Sequence, residues 1–260
     1  MKLKEIMDAV ERIAPLQYED EWDNSGLQVG FPDMEVTSVL FCLDVTEAIV
    51  DEAVAKGCNL ILSHHPLIFK ALKQVSDSTY QQRCVVKALA NGIAIYSAHT
   101  SLDNAKGGVN YKIAELAGVN NLSWLQPIEG MDAGSGVIGE LEATEDAEGF
   151  LKRIARAFGV ECLLHSECSG RTIRKVAICG GAGAFLMRDA ISKGADCFIS
   201  GEFHYHDYFE NDGMILAELG HYQSEQFTKD LLRDIVKDAF PDLRTEMTEI
   251  NTNPIVYGSR

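Results

Sequence analysis

The sequence predicts an α/β protein built from two structurally related lobes with largely parallel or mixed sheets. Three observations carry that expectation. Short apolar runs alternate with helical patterns, the rhythm of strands covered on both faces by helices. The alternation pauses between Gln126 and Ser135, where Pro127, Gly130 and Gly134 interrupt it, and then resumes. The chain also repeats itself: a displacement of 137 positions lays Val39 over Val176, Cys42 over Cys179, Ala53 over Ala190, Lys56 over Lys193, Gly57 over Gly194 and Ser63 over Ser200 without a gap. A displacement of 122 lays His99 and Asp103 over His221 and Glu225. The expected lobes are therefore residues 1–127 and 128–260, with terminal segments free to cross between them.

Each element has its own signature. Leu3, Ile6, Met7, Val10 and Ile13 recur at helical spacing among charges, so Met1 to Pro15 reads as an amphipathic helix rather than a signal peptide. A loop holding Trp22, Asp23, Asn24, Ser25 and Gly26 follows. Val36 to Leu43 is an apolar strand, Thr46 to Lys56 a helix, and Cys58 to Ser63 a second buried strand. That strand ends at His64 and His65, and Pro66 forces the chain out of regular structure. Tyr80 to Ala90 suits a helix, Ile93 to Ala98 a strand and Asn110 to Ala117 another helix. In the second lobe a strand ends at Cys179, Gly180 to Gly183 lead into a helix, and Ser224 and Glu225 open a helix that runs to Lys237.

Composition narrows the functional classes. With 46% hydrophobic residues in 260, 22 glycines and only 6 prolines, the chain has apolar material for a full core and no bias toward disorder. Its 39 acidic against 23 basic side chains leave a formal net charge of −16. That balance argues against duplex nucleic acid as a main partner, because such binding draws its affinity from basic side chains that neutralise phosphates. Any nucleotide substrate would need a local positive charge, which a bound metal ion supplies. The longest weakly polar run, Val176 to Met187, is too short and too glycine-rich for a membrane span, so a cytoplasmic protein is expected. The seven cysteines include no CxxC pair, which favours buried free thiols over disulfides or a thiolate zinc site.

The polar residues that end strands are the ones to weigh for chemistry, since sites in α/β proteins form beyond the carboxyl ends of strands and at junctions between duplicated halves. His64 and His65 can converge where their strand turns, and neutral imidazole is the commonest side-chain metal ligand. The alternative is a strand end whose histidines satisfy local backbone groups. Asp103 follows the third strand, and His221 with Glu225 holds the equivalent place in the second half, where their spacing puts both on one side of a helix entrance. Three histidines and two carboxylates form a nitrogen and oxygen donor set suited to Zn, Fe, Mn, Ni or Co. Five donors are too many for one four-coordinate structural zinc, and with a shared carboxylate they fit two divalent ions. Gly180 to Gly183 either offer backbone N–H groups to a phosphate or simply make a tight turn.

Taken together, Trp22-Asp23-Asn24-Ser25-Gly26-Leu27, Ser63-His64-His65-Pro66, His99-Thr100-Ser101-Leu102-Asp103, Ser200-Gly201-Glu202 running to His206-Asp207, and His221-Tyr222-Gln223-Ser224-Glu225 resemble the Nif-three-like family, also labelled the GTP cyclohydrolase 1 type 2 homologs. The motifs span nearly the whole chain in the family's order. The resemblance implies a dinuclear metal centre in the cleft between two related α/β lobes, and a ring-shaped homohexamer with the metals facing its interior. Carried over by matching motifs, His65 and Asp103 would bind one ion, His64 and His221 the other, and Glu225 would bridge both. Some members insert a further domain between the halves, and the segment near Gln126 is too short for one. His99, Glu202 and His206 fall on family positions near the site, as proton carriers or as holders of ligand side chains, the alternative being hydrogen bonding within the cleft. His165 and His204 match no family position and read as surface or lining residues.

Two readings of function follow. In the first, the ions activate water against a carbonyl, imine or phosphoryl group, and the family label suggests ring opening of guanine in GTP with release of formate. In the second, the protein stores or delivers metal, or serves as an interaction scaffold, without catalysis. A nicotinamide-dependent reductase is poorly supported, because the glycine turn lacks a complete dinucleotide fingerprint.

Overall fold

The buried apolar runs form strands where the sequence places them. In the computed structural model, which describes residues 1–258, the chain divides into two units, one made of residues 1–102 with the segment from Phe227 onward, the other of Asp103–Gln226. The first unit runs through α1 (Leu3–Glu11), β1 (Gly26–Val29), β2 (Ser38–Cys42), α2 (Glu47–Lys56), β3 (Leu60–Ser63), α3 (Tyr80–Ala90), β4 (Ala94–Ser97) and α4 (Thr100–Asp103), whose last residue opens the second unit. That unit contains α5 (Val109–Ala117), β5 (Val119–Pro127), β6 (Gly134–Asp146), α6 (Ala147–Phe158), β7 (Leu164–His165), β8 (Thr172–Cys179), α7 (Met187–Ser192), β9 (Cys197–Ser200), β10 (Ile215–Glu218) and α8 (His221–Glu225). The chain then supplies α9 (Thr228–Ala239) and β11 (Arg244–Met247) to the first unit.

Each unit is an α/β layer structure with its own sheet. The first sheet has five strands in the order β1-β4-β3-β2-β11, all parallel except the edge strand β1. Its strands β2, β3 and β4 are buried at every residue, as continuous apolar runs in parallel sheets are. The second sheet has six strands in the order β5-β6-β8-β9-β10-β7, parallel over β8, β9 and β10 and antiparallel elsewhere. The repeat seen in the sequence is a repeat of register. Cys42 pairs with Ser63 in one sheet and Cys179 with Ser200 in the other. The third parallel strand then aligns Ser97 with Ser63, and Glu218 with Ser200. Each third strand leads into a short helix, α4 or α8, that carries the histidine and acid motif or ends on it.

The helices follow from their sequences. α1 buries Leu3, Ile6, Ala9 and Val10 along one face, while Ile13 lies beyond its end and is exposed. Thr46 caps α2 by accepting from the N–H of Ile49, and Thr79 caps α3 through Gln82. α6, which the sequence reading leaves unassigned, buries Ala147, Phe150, Leu151, Ile154 and Phe158 and is capped by the Asp146 carboxylate on the Gly149 N–H at 2.9 Å.

Two expectations are corrected. The segment from Gln126 to Ser135 is the end of the β5–β6 hairpin, with Gln126 paired to Ser135 and Pro127 to Gly134. Gly134 makes that turn possible, because a Cβ there would sit 2.7 Å from the Gln126 carbonyl oxygen. The two units divide at 102/103 and again at 226/227. The helix expected from Ser224 to Lys237 is two helices, starting three residues earlier at His221 and interrupted at Gln226 and Phe227, where the Gln226 amide is turned onto the Phe158 carbonyl. Among the described residues all seven cysteines are free, and all but Cys162 are buried. No helix of the described residues is long and apolar enough to cross a membrane.

Candidate metal centre

The carboxyl ends of β3 and β4 set the histidines of the first unit. Ser63 and Ser97 lie side by side with hydroxyl oxygens 2.8 Å apart, and both donate to the His65 carbonyl, at 3.0 and 3.3 Å. The turn at His64 and His65 is thus pinned by the strands that precede it. His64 is fully buried, and its Nδ1 lies 2.8 Å from the Ala98 carbonyl oxygen. A carbonyl only accepts, so Nδ1 carries the proton and Nε2 the lone pair of the neutral ring. His65 Nδ1 lies 2.7 Å from Asp44 Oδ1, and the other oxygen of Asp44 accepts from the Thr252 hydroxyl at 2.6 Å. Burial alone would raise the Asp44 carboxyl, but the bond and charge of His65, the Thr252 hydroxyl and the charge of His64 outweigh it and lower the group.

His99 completes the cluster. Its Nδ1 lies 2.7 Å from Asp23 Oδ1, and Asp23 has no exposed side-chain surface. The second oxygen of Asp23 accepts from the Thr100 N–H at 3.0 Å and the Ser25 hydroxyl at 2.9 Å. Burial pushes Asp23 up, yet His99, Thr100 and the Asn24 N–H together hold it far below the usual carboxylate range. The rings of His64, His65 and His99 pack with centroids 4.8, 5.3 and 5.4 Å apart, and one nitrogen from each lies within 4.8 Å of the others, a grouping that could hold a metal ion.

The second unit builds its donors on α8 and the glycine turn after β8. His221 opens α8, with Nδ1 3.0 Å from Glu202 Oε1 and Nε2 3.2 Å from Glu225 Oε2. Glu225, one turn on, is buried. Three of the four N–H groups of the glycine turn are engaged within the protein rather than open to a phosphate: Gly180 donates to Asn110 Oδ1 at 2.9 Å, Gly181 to Ser224 Oγ at 3.0 Å and Gly183 to Ser200 Oγ at 3.1 Å. The turn is tight because α8 approaches it: a Cβ on Gly181, at a φ of +57°, would stand 2.4 Å from Glu225 Oε1. Asp103 belongs to the same network, its carbonyl accepting at 3.0 Å from the Asn110 amide that also receives Gly180.

The structure therefore gathers His64, His65 and His99 in one unit, and Glu202, His221 and Glu225 in the other. His206 is exposed, its ring against Tyr205 and Phe209. His204 is exposed as well, near Asp207, and His165 Nδ1 donates to the Ser166 carbonyl at 2.8 Å. Asp23 and Asp44, which hold the rings of His99 and His65, are given no role by the sequence alone. Asp23 stands in a quoted motif, while Asp44, two residues after the strand that ends at Cys42, carries no local signal. The donor set fits divalent ions: four imidazoles each have Nδ1 held by a carbonyl or carboxylate oxygen, the arrangement that fixes a ligand ring and turns Nε2 toward metal.

The lowered Asp23 carboxyl makes a pH prediction. Because its folded pKa lies below the unfolded value of about 3.9, the unfolded chain takes up the proton first as pH falls. The stabilisation is present above about pH 4 to 5 and is lost on acidification. Asp23→Asn should be roughly 1 to 3 kcal/mol less stable than wild type near pH 7, and the gap should begin to narrow as the pH falls below about 4. Urea denaturation of both proteins across that range measures it; a gap that is constant with pH contradicts it.

The Duf34/NIF3 (NGG1p interacting factor 3) family profile matches residues 1–254. A "GTP cyclohydrolase 1 type 2 homolog" of Clostridium perfringens is 35% identical over 86% of this chain and 87% of its own. A protein of the same name from Lactococcus lactis is 33% identical over 98% of both chains. Among solved structures, the Staphylococcus aureus protein SA1388 superposes with a TM-score of 0.90 at 27% identity, covering 99% of each chain.

Proposed function

We propose, because the chain belongs to the Duf34/NIF3 family, that it holds two divalent ions per subunit and is a metal-dependent hydrolase of a nucleotide-like substrate. His65 and Asp103 would hold one ion, His64 and His221 the other, and Glu225 both. Zn, Fe, Mn, Ni and Co all suit such donors. The observation that carries the reading is that Nδ1 of the three proposed ligand imidazoles, His64, His65 and His221, is occupied by an oxygen acceptor, which turns Nε2 to the task of metal donor, while His99 is held in the same way beside them.

When bound, such ions supply Lewis acidity toward the substrate and an activated water. The residues of the chain do the rest. Asp44 orients His65 and Glu202 orients His221 through their Nδ1 protons. His99, held by buried Asp23, is placed to accept or return a proton at Nε2 beside the ligand imidazoles. The net charge of −16 makes the ions necessary for attracting a phosphorylated substrate. The names of the relatives point to GTP cyclohydrolase-type ring opening as the reaction, and we extend to this chain a homohexameric ring and a cytoplasmic location. Neither duplex nucleic acid nor a membrane is among its partners in this reading.

Metal content per chain, measured on protein purified without added metal, tests the proposal together with a screen of nucleotides for metal-dependent product release. About two ions per chain with turnover is the expected result. Two ions without turnover on any nucleotide would favour metal storage, delivery or a scaffold role, and no bound metal would overturn the centre itself.

A further inference from the structure

Two exposed aromatic side chains flank the histidine cluster of the first unit without any role in holding it. Trp22 is 58% exposed and Phe69 46%, although both are large apolar groups that ordinarily bury. Their rings meet at 5.6 Å with planes 52° apart, so the two partly exposed aromatics form a corner. His99 stands perpendicular to both, at 76°, with centroids 5.9 Å from Trp22 and 6.3 Å from Phe69. The same His99 ring packs against His64 and His65 on its other contacts.

The backbone of the corner is braced. Trp22 precedes Asp23, which is anchored by His99, Thr100 and Ser25. Phe69 follows Ile68, whose carbonyl accepts from the Asn24 amide at 2.6 Å and whose N–H donates to Gln28 Oε1 at 3.2 Å. Gln28 in turn donates to the Asn24 carbonyl at 2.7 Å. The loops carrying the two aromatics are thus stitched to each other, which holds the backbone beneath both rings before any ligand arrives.

We propose that Trp22 and Phe69 form the platform on which the planar base of the substrate stacks. The inference rests on the nucleotide-hydrolase reading above and names the part of the substrate this unit recognises. A flat heteroaromatic ring is the occupant that two partly exposed aromatic rings at a corner select, and stacking tolerates any base because every base has a π-face. The charge of the protein strengthens the case. A chain with a net charge of −16 repels the phosphate end of a nucleotide, so affinity that does not come from metal must come from the base. A base on this platform would lie against the edge of His99, next to the imidazoles of His64 and His65.

The test is calorimetric titration of wild type, Trp22→Ala, Trp22→Phe and Phe69→Ala, as purified with their metal, using GTP, guanosine and inorganic triphosphate as probes. Metal content and oligomeric state are read on the same samples. Trp22→Ala and Phe69→Ala should each weaken GTP and guanosine binding about 5- to 100-fold. Trp22→Phe should retain most of it, and triphosphate binding and metal content should not change. GTP binding by Trp22→Ala equal to wild type overturns the platform, as does an equal loss of triphosphate, or a change in oligomeric state with binding intact. Wild type that carries its metal but binds no guanosine overturns the platform and leaves the metal centre standing. Guanosine binding lost in Trp22→Ala in a protein without metal supports the platform and sinks the dinuclear centre instead.

Discussion

Glu225→Gln should strip the centre of at least one ion and reduce turnover by more than about 100-fold, while the metal-free protein keeps its stability within about 1 kcal/mol. The substitution changes almost nothing but charge and the second acceptor oxygen. In the protein, Glu225 is 3% exposed, with one oxygen 3.2 Å from His221 Nε2 and the other beside Gly181. An amide fills the same space and can still bond to His221, so packing around α8 survives. It cannot bridge two cations, because it has one acceptor oxygen and no charge to offset theirs. Even partners one layer removed from a metal cost about 10- to 100-fold in affinity when deleted, so the proposed shared ligand should cost more. Metal analysis, thermal melting of the chelated protein and nucleotide turnover on the same preparations separate the effects. Full metal content with wild-type turnover in Glu225→Gln would refute the bridging role and the assignment built on it.

What could be read before the structure and what could not divide along physical lines. The parallel strands β2, β3 and β4 were legible because both faces are buried, so their sequences are continuous apolar runs with turn residues at each end. The histidines and acids that follow such strands were legible by position alone, since the topology puts strand ends together. Less legible were β5 and β6: one face of each is exposed in part, and Pro127, Gly130 and Gly134 at their turn look like a linker when only composition is considered. β11 pairs with β2 across some two hundred residues of chain, a contact no local pattern encodes. The partners of the candidate ligands were hidden for the same reason. Asp23 meets His99 from 76 residues away and Asp44 meets His65 from 21, and neither acid differs in its neighbours from any solvated loop carboxylate. The glycine turn shows the converse: its composition suggested an anion site, while three of its four N–H groups are satisfied by Asn110, Ser224 and Ser200, which the reading could not place.

That turn supplies the second large effect. Gly181→Ala should lower metal affinity at least about 10-fold, whereas Gly194→Ala should leave it unchanged, although both place alanine in the left-handed region at a similar backbone cost of about 1 kcal/mol. The φ values are +57° and +71°, so the strain is matched. The surroundings are not. A Cβ at Gly194 meets nothing within 4 Å, and one at Gly181 meets Glu225 Oε1 at 2.4 Å, with His221 Cε1 at 3.4 Å. The atom that must yield is the tip of a flexible carboxylate rather than backbone, so the fold has a cheap way out: Glu225 swings aside. The proposed centre has none, because the oxygen that moves is one that should reach a metal. Stability and metal binding should therefore separate, with equal losses of stability in the two alanine variants and loss of metal only at position 181. Chemical denaturation gives the first and equilibrium dialysis against zinc the second. Metal binding in Gly181→Ala indistinguishable from Gly194→Ala would mean that the Glu225 carboxylate, wherever it swings, is not what holds the ion.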